Sequence, residues 1–280
     1  ICNVVVYVIY KVKLPFFERY RISEKAWPWE SNPEVWSRHF KKTLKMLALA
    51  HFVIVPLVTL AELKSGGMKM RLDLESFPSA GEVFGQIIFF MLCEDFFFYW
   101  GHRLLHHPRI YGYIHKIHHE YNITVSIAAE YAHPLEFLIG NILPTNSGPK
   151  ILGSKVHFAT YCIWIIIRLM ETADGHCGYE FSWSPYRLLP LSGSSIYHNF
   201  HHSHNVGNYG SFFTLWDTIC GTNRHYFKYL ANREKKQIAA QLAPEYNKVA
   251  KKINEETNAI IAKEREKSLE KEILETKKDL

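Results

Sequence analysis

The chain has 280 residues, 48% hydrophobic and 15% aromatic, with 33 Lys and Arg against 27 Asp and Glu for a net charge of +6. The cations are spread along the chain without a basic stripe, which excludes a nucleic-acid module and leaves a membrane surface as the natural counterpart. The five cysteines (Cys2, Cys93, Cys162, Cys177 and Cys220) form no CxxC pair, which argues against a disulfide framework or a thiolate zinc site.

Mean hydropathy is slightly negative, although most of the chain is greasy. The cause is local: 22 of the 50 residues from Ala231 to Leu280 are charged, against about one in six before them. The chain therefore divides into an N-terminal membrane-associated segment (1–80), a motif-bearing body (81–230) and a charged helical extension (231–280). Ile1–Tyr10 is apolar with no basic leader ahead of it, so no signal peptide is read there. Leu44–Glu62 has the length and composition to cross a bilayer core of ~30 Å. Lys41, Lys42 and Lys45 before it mark that end as cytoplasmic.

Val83–Trp100 is a second apolar run, interrupted by Glu94 and Asp95. Ionisable groups inside a membrane helix are costly and face a site or a cavity, and this run leads directly into His102. Pro134–Pro144 is short enough to be re-entrant or interfacial, and His157–Met170 is short for a full span. No stretch alternates with the strand period. The expected fold is all-α, an integral membrane helical bundle. In the extension, Val249, Ile253, Ile260, Ile261, Leu269 and Ile273 recur at helical spacing. A solvated charged helix and a partner-binding helix fit that pattern equally.

Thirteen of the sixteen histidines fall between residues 102 and 204. They form an HxxxHH string (His102, His106, His107) and two HxxHH strings (His115, His118, His119; His198, His201, His202), with His133 and His176 between. Residues three and four apart share a helix face, so each HxxHH string is expected to converge on one point. At least eight imidazoles exceed the needs of one ion and fit two. Imidazole suits iron, zinc, copper and nickel alike. A closed structural zinc site needs only four ligands, and neither an HExxH string nor a GxSxG elbow is present. His39, His51, His157 and His225 stand alone and are read as ordinary core or surface histidines.

The series HRLLHH, KIHHEYN, EYAHPLE, ETADGHCGYEF, HNFHH, GNYGS and WDTICGT, from about Gly81 to Asn223, resembles the sterol 4-methyl oxidase branch of the fatty acid hydroxylase superfamily. The resemblance implies a helical membrane domain with a histidine-rich di-metal site near the cytosolic face. It assigns His102, His106, His107, His115, His118, His119, His176, His198, His201 and His202 as candidate ligands of two irons, with zinc as an alternative occupant of purified material, and leaves His133 open. It further implies oxidation of an unactivated C–H bond by O2, with NAD(P)H electrons arriving through cytochrome b5 or a reductase. The expected substrate is a sterol or related lipid, a 4-methyl sterol in this branch.

Metal-bound histidines give their second N–H to a carboxylate or carbonyl. Glu94, Asp95, Glu130, Glu136, Glu171, Asp174 and Asp217 lie in or beside the motifs as candidates. Asn199 stands where the family commonly carries Asp, which removes one possible anion, and the charged extension runs longer than expected. These departures keep open a second class of function, an accessory subunit of a larger membrane complex docked through 231–280. Lys277-Lys278-Asp279-Leu280 fits an endoplasmic reticulum retrieval signal, and the mitochondrial inner membrane goes with the complex alternative. Phe96, Phe97, Phe98, Tyr99, Trp164 and Trp183 suit a substrate pocket or plain core.

Overall fold

The computed structural model describes residues 2–67 and 69–276, with side chains up to residue 268. The retrieval-like string at 277–280 and the side chains of Leu269 and Ile273 lie outside the described residues. The fold is an all-α membrane bundle. Among the described residues the only strand-like pairings are three isolated bridges, Arg21–Tyr179, Arg71–His157 and Ser192–Phe213. The chain forms two units, Ile1–Tyr226 and Phe227–Leu280.

After α1 (Cys2–Val12), the first long element is α2 (Pro33–Lys64). Pro33 occupies its first turn, where a missing N–H costs nothing, and Asn32 Oδ1 accepts the Val35 N–H at 3.0 Å. At 1.5 Å per residue α2 is about 48 Å long, well beyond the apolar stretch that marks it in sequence. Pro56 inside it lacks an N–H and crowds the preceding turn. The helix absorbs this by widening to a π-turn over Ala50–Ile54, immediately before the proline. Only 6% of its apolar window is buried in the protein, and Phe52, Leu57, Leu60 and Leu63 all stand exposed. A greasy helix that buries so little against its own chain is solvated by lipid.

The second long helix is α3 (Ala80–Leu105), capped by Ser79 Oγ, which accepts the Glu82 N–H. It packs against α4, which runs through residues 134–152 and repeats the same device, a π-turn over Phe137–Ile142 just before Pro144. The run at Pro134–Pro144, expected to be re-entrant or interfacial, is the first half of this longer helix. Gly148 lets the two helices touch. A Cβ there would stand 2.7 Å from Phe90 Cδ1 and 2.9 Å from its Cα.

Behind them lies α5 (Phe158–Gly175), whose Trp164 is wholly buried and donates Nε1–H to the Thr145 carbonyl at 2.8 Å. Ile87, Phe90, Met91, Val156, Trp164, Phe212 and Phe213 form one apolar cluster. A second gathers Tyr10, Trp27, Tyr121, Tyr131, Cys177 and Tyr179. Tyr10 anchors α1 to it, giving its hydroxyl to Cys177 O at 2.8 Å while accepting the Ser126 N–H at 3.0 Å. Tyr121 and Cys177 each lie within two residues of a motif histidine, so the second cluster fixes the backbone that carries the site.

Among the shorter elements of the first unit are a 3₁₀ turn at His115–Glu120, α6 (Ser195–His204) and α7 (Leu215–Cys220). The extension is one helix, α8 (Arg224–Thr276), on which Leu242, Tyr246, Val249 and Ile253 are all more than half exposed.

The Gly148 contact makes a direct prediction. Gly148→Ala forces α3 and α4 apart and lowers the thermal unfolding midpoint in mild detergent, an overpacking cost of ~1–3 kcal/mol. Gly85→Ala, on α3 and with nothing within 4 Å of the added Cβ, leaves the midpoint unchanged or slightly raised.

Candidate metal centre

Nine imidazoles from four segments meet in two groups. His102, His106, His115, His119 and His201 form one, and His118, His176, His198 and His202 the other. Within each group one ring nitrogen per residue lies within 4.8 Å of all the others. The HxxHH strings therefore do not converge as their spacing suggests. His115 and His119 enter the first group and His118 the second, whereas His198 and His202 enter the second and His201 the first. The reason is angular. Successive residues turn by ~100° in an α-helix such as α6 and by ~120° in the 3₁₀ turn, so the adjacent pairs 118/119 and 201/202 point too far apart to share one ion. Residues four apart, such as His102 and His106, stay together.

The tautomers are set from outside the groups. Nδ1 of His102 donates to Tyr209 O (3.0 Å), His118 to Tyr131 O (3.0 Å), His176 to Thr172 O (2.9 Å), His201 to Gly207 O (2.6 Å) and His202 to Tyr121 O (3.2 Å). His115 Nδ1 lies 2.6 Å from Glu136 Oε1. With Nδ1 carrying the proton, Nε2 presents a lone pair. The Nε2 atoms face one another: 102 to 115, 115 to 119 and 106 to 201 at 3.1 Å, 118 to 176 at 3.4 Å, 176 to 198 at 2.9 Å and 198 to 202 at 3.1 Å.

Two lone pairs at such distances repel unless a cation lies between them. Nitrogens bound ~2.0–2.1 Å from one ion, at angles between square and tetrahedral, stand roughly 2.9–3.4 Å apart. That is the observed range, so the residues fit a pair of imidazole-bound transition-metal ions.

Electrostatics agree. Burial pushes His118 down to about 4 and His176 to about 3, and burial together with the neighbouring His118 takes His119 to about 2. His115, His198, His201 and His202 also lie well below the ordinary histidine value, through burial first and adjacent imidazoles second. Neutral imidazole is the ligating form.

The remaining sequence candidates take other places. His107 is exposed and caps the turn at Pro108–Tyr111, its Nδ1 accepting the Arg109 N–H at 3.2 Å, and His133 caps α4 in the same way through Leu135 N. Both precede a proline, where a capping side chain is useful. Of the acidic candidates Glu136 alone touches a histidine of either group. Asp95 and Asp217 act at one remove, on the loop whose carbonyls hold His102 and His201. Asp95 Oδ1 accepts the Ser211 and Phe213 N–H groups, and Asp217 those of Tyr209 and Gly210.

Gly207 in that loop has φ +61 and would place a Cβ 1.9 Å from Thr222 O, so only glycine fits. Asp174 pairs with Arg187 at 2.8 Å, and its carbonyl accepts from Ser195 at the start of α6. Asn199 Oδ1 accepts the Thr124 hydroxyl at 3.0 Å, a bond for which an amide suffices. Glu130 pairs with His51 of α2, and Glu94 and Glu171 pair with Arg168.

Arg168 itself escaped notice in the sequence. Its signal was a lone cation in an apolar run with Glu171 at i+3. Of the six aromatics named above, Tyr99 and Trp164 are core and Phe98 borders a cavity of about 50 Å³ beside both histidine groups.

Two outcomes follow from this geometry. Glu136→Gln removes the anion that orients His115 and lowers metal affinity 10–100-fold, read by competition with a chelator. Acid acts on the whole centre: in the unfolded chain these imidazoles take up protons below about 6.5, while in the folded chain they stay neutral to about 4 or lower. The folded state thus loses ~1.4 kcal/mol per pH unit for each such histidine as the pH falls below about 6.5. The unfolding midpoint stays flat above neutrality, then drops steeply on acidification together with metal release.

Comparison with known proteins accords with this arrangement. Residues 87–222 match the fatty acid hydroxylase family. The chain is 36% identical to methylsterol monooxygenase 1 of Gallus gallus, covering 80% of this chain and 73% of that one. It is 39% identical to methylsterol monooxygenase 2-2 of Arabidopsis thaliana, covering 66% and 70%. It is 36% identical to very-long-chain aldehyde decarbonylase GL1-8 of Oryza sativa, covering 80% and 81%. No solved structure matches. On this identity and coverage, and with its histidine strings intact, the chain belongs to the fatty acid hydroxylase family.

Proposed function

We propose that this membrane protein is a di-iron lipid oxygenase that oxidises a sterol or related lipid, a 4-methyl sterol in the first instance. One observation carries the reading: nine imidazoles turn a ring nitrogen inward in two groups, with neighbouring Nε2 atoms spaced as nitrogens bound to one ion would be. The sequence relatives support a lipid substrate, and the monooxygenases among them favour hydroxylation over the decarbonylase chemistry named for the rice protein.

His102, His106, His115, His119 and His201 would hold one iron, and His118, His176, His198 and His202 the other. When bound, iron supplies the oxidant for an unactivated C–H bond, which no side chain supplies. The protein's own part is positional. Glu136 and the loop carbonyls lock the imidazole tautomers. Phe98, Leu105, Ala129 and Ala132 give the cavity apolar walls that favour a hydrocarbon end over water. A hydrocarbon end placed in this cavity would lie beside both histidine groups.

Electrons come from NAD(P)H through cytochrome b5 or a reductase, and the endoplasmic reticulum membrane is the proposed location. The exposed apolar residues of α8 favour a second reading, an accessory subunit docked in a larger complex through 231–280, with the mitochondrial inner membrane as its place.

Mass spectrometry on natively purified protein is expected to find two irons per chain. His118→Ala and His201→Ala, one from each group, each abolish oxidation of a 4-methyl sterol. Normal oxidation by either variant rejects the oxygenase reading; absence of metal from natively purified protein favours the accessory role.

A further inference from the structure

Glu94 of α3 and Arg168 and Glu171 of α5 meet in the protein interior, where Glu94 is wholly buried and the other two nearly so. Arg168 Nη1 donates to Glu171 Oε2 at 2.7 Å. Arg168 Nε lies 2.7 Å from Glu94 Oε1 but is poorly aligned for a hydrogen bond, so that contact is coulombic. Ser211 donates its hydroxyl to Glu94 Oε1 at 3.2 Å, while Glu94 Oε2 has no partner. Two carboxyls thus share one guanidinium. A surplus negative charge in such surroundings is expensive, and one proton between the two carboxyls removes it.

The trio opens onto the cavity beside the histidines, which Arg168 and Glu171 both line. Hydroxylation there consumes protons: RH + O2 + 2e⁻ + 2H⁺ gives ROH and water. The O–O bond breaks, one oxygen enters the C–H bond, and the other leaves as water with both protons. The electrons come from the NAD(P)H-derived donor named above.

The histidines are poor proton donors here: five give Nδ1–H to carbonyls and His115 faces Glu136, while all nine turn a ring nitrogen toward the metal positions. Glu136 is held by His115, and Arg168 does not release its proton. Burial raises the Tyr197 phenol above its ordinary value, which makes it a reluctant donor. Glu171 is left as the carboxyl that borders the cavity and is not tied to a ligand.

We propose that Glu94 and Glu171 hold one proton between them across Arg168, and that Glu171 delivers protons into the cavity during oxygen reduction. The delivery step rests on the oxygenase reading; the resident proton does not, and the two are tested separately. Infrared spectra of the metal-loaded wild type should show the C=O stretch of a protonated carboxyl. Glu171→Gln and Glu94→Gln should each erase it, because the remaining acid then pairs alone with Arg168. Asp95→Asn leaves that band in place, and Glu171→Asp shifts it without removing it.

Survival of the band in both Gln variants overturns the resident proton, whether or not the protein oxidises lipid. With a substrate that wild type oxidises, Glu171→Gln should keep its metal and lose roughly 100-fold or more in turnover. Its pH–rate profile and solvent isotope effect should change, and Glu171→Asp should recover part of the rate. A Glu171→Gln variant with wild-type rate and pH profile overturns the delivery role. Should Glu171→Gln fail to fold, Glu94→Gln decides the band and Glu171→Asp the pH profile.

Discussion

Mutual repulsion among inward-turned imidazole lone pairs is the constraint on which the rest of this structure depends. Neighbouring Nε2 atoms are held at 2.9–3.4 Å, and where both rings carry their proton on Nδ1, as in His102–His115 and His118–His176, that approach is favourable only around a cation. Holding it requires that each ring be fixed from behind. The fold does so mainly with backbone: five carbonyls, on Tyr121, Tyr131, Thr172, Gly207 and Tyr209, take Nδ1–H donors. Two of these belong to one loop, which Asp95 and Asp217 fasten through its amides. Buried carboxylates that never touch a ligand still determine where the ligands point.

The lipid environment sets the second condition. With α2 burying almost nothing in the protein, stability rests on helix contacts as close as Gly148 against Phe90 and on the aromatic cluster around Tyr10 and Trp27. Helices of equal greasiness gain little from packing in lipid unless their backbones approach. The paired use of a π-turn before Pro56 and before Pro144 is consistent with this: each lets a long helix keep its proline without breaking its run of hydrogen bonds.

Much of the site was legible from the strings alone, because no ordinary composition places thirteen histidines within about a hundred residues. The all-α bundle was legible too, from apolar runs without strand alternation. Partition between the groups was not. Spacing of three and four was read as one face, whereas in α6 those positions lie ~60° and ~40° to opposite sides of the starting residue, and His115–Glu120 is a 3₁₀ turn, to which α-helical spacing does not apply. His107 was a candidate ligand by type and His133 was left open; each precedes a proline and caps the turn that follows. The acceptors behind the rings were mostly illegible, since a carbonyl leaves no mark on the residue that carries it. Glu136 was one acid among seven until its distance to His115 singled it out. Arg168, buried between Glu94 and Glu171, shows how a single charge in a greasy run carries more information than its surroundings suggest.

The division of the neighbouring histidines has a consequence for how the two groups move. His118 and His119 share a peptide bond, as do His201 and His202, and each pair sends one ring to each group. The two groups are therefore joined through peptide bonds at two points, so a shift of backbone that re-aims a ring in one group also moves a ring of the other.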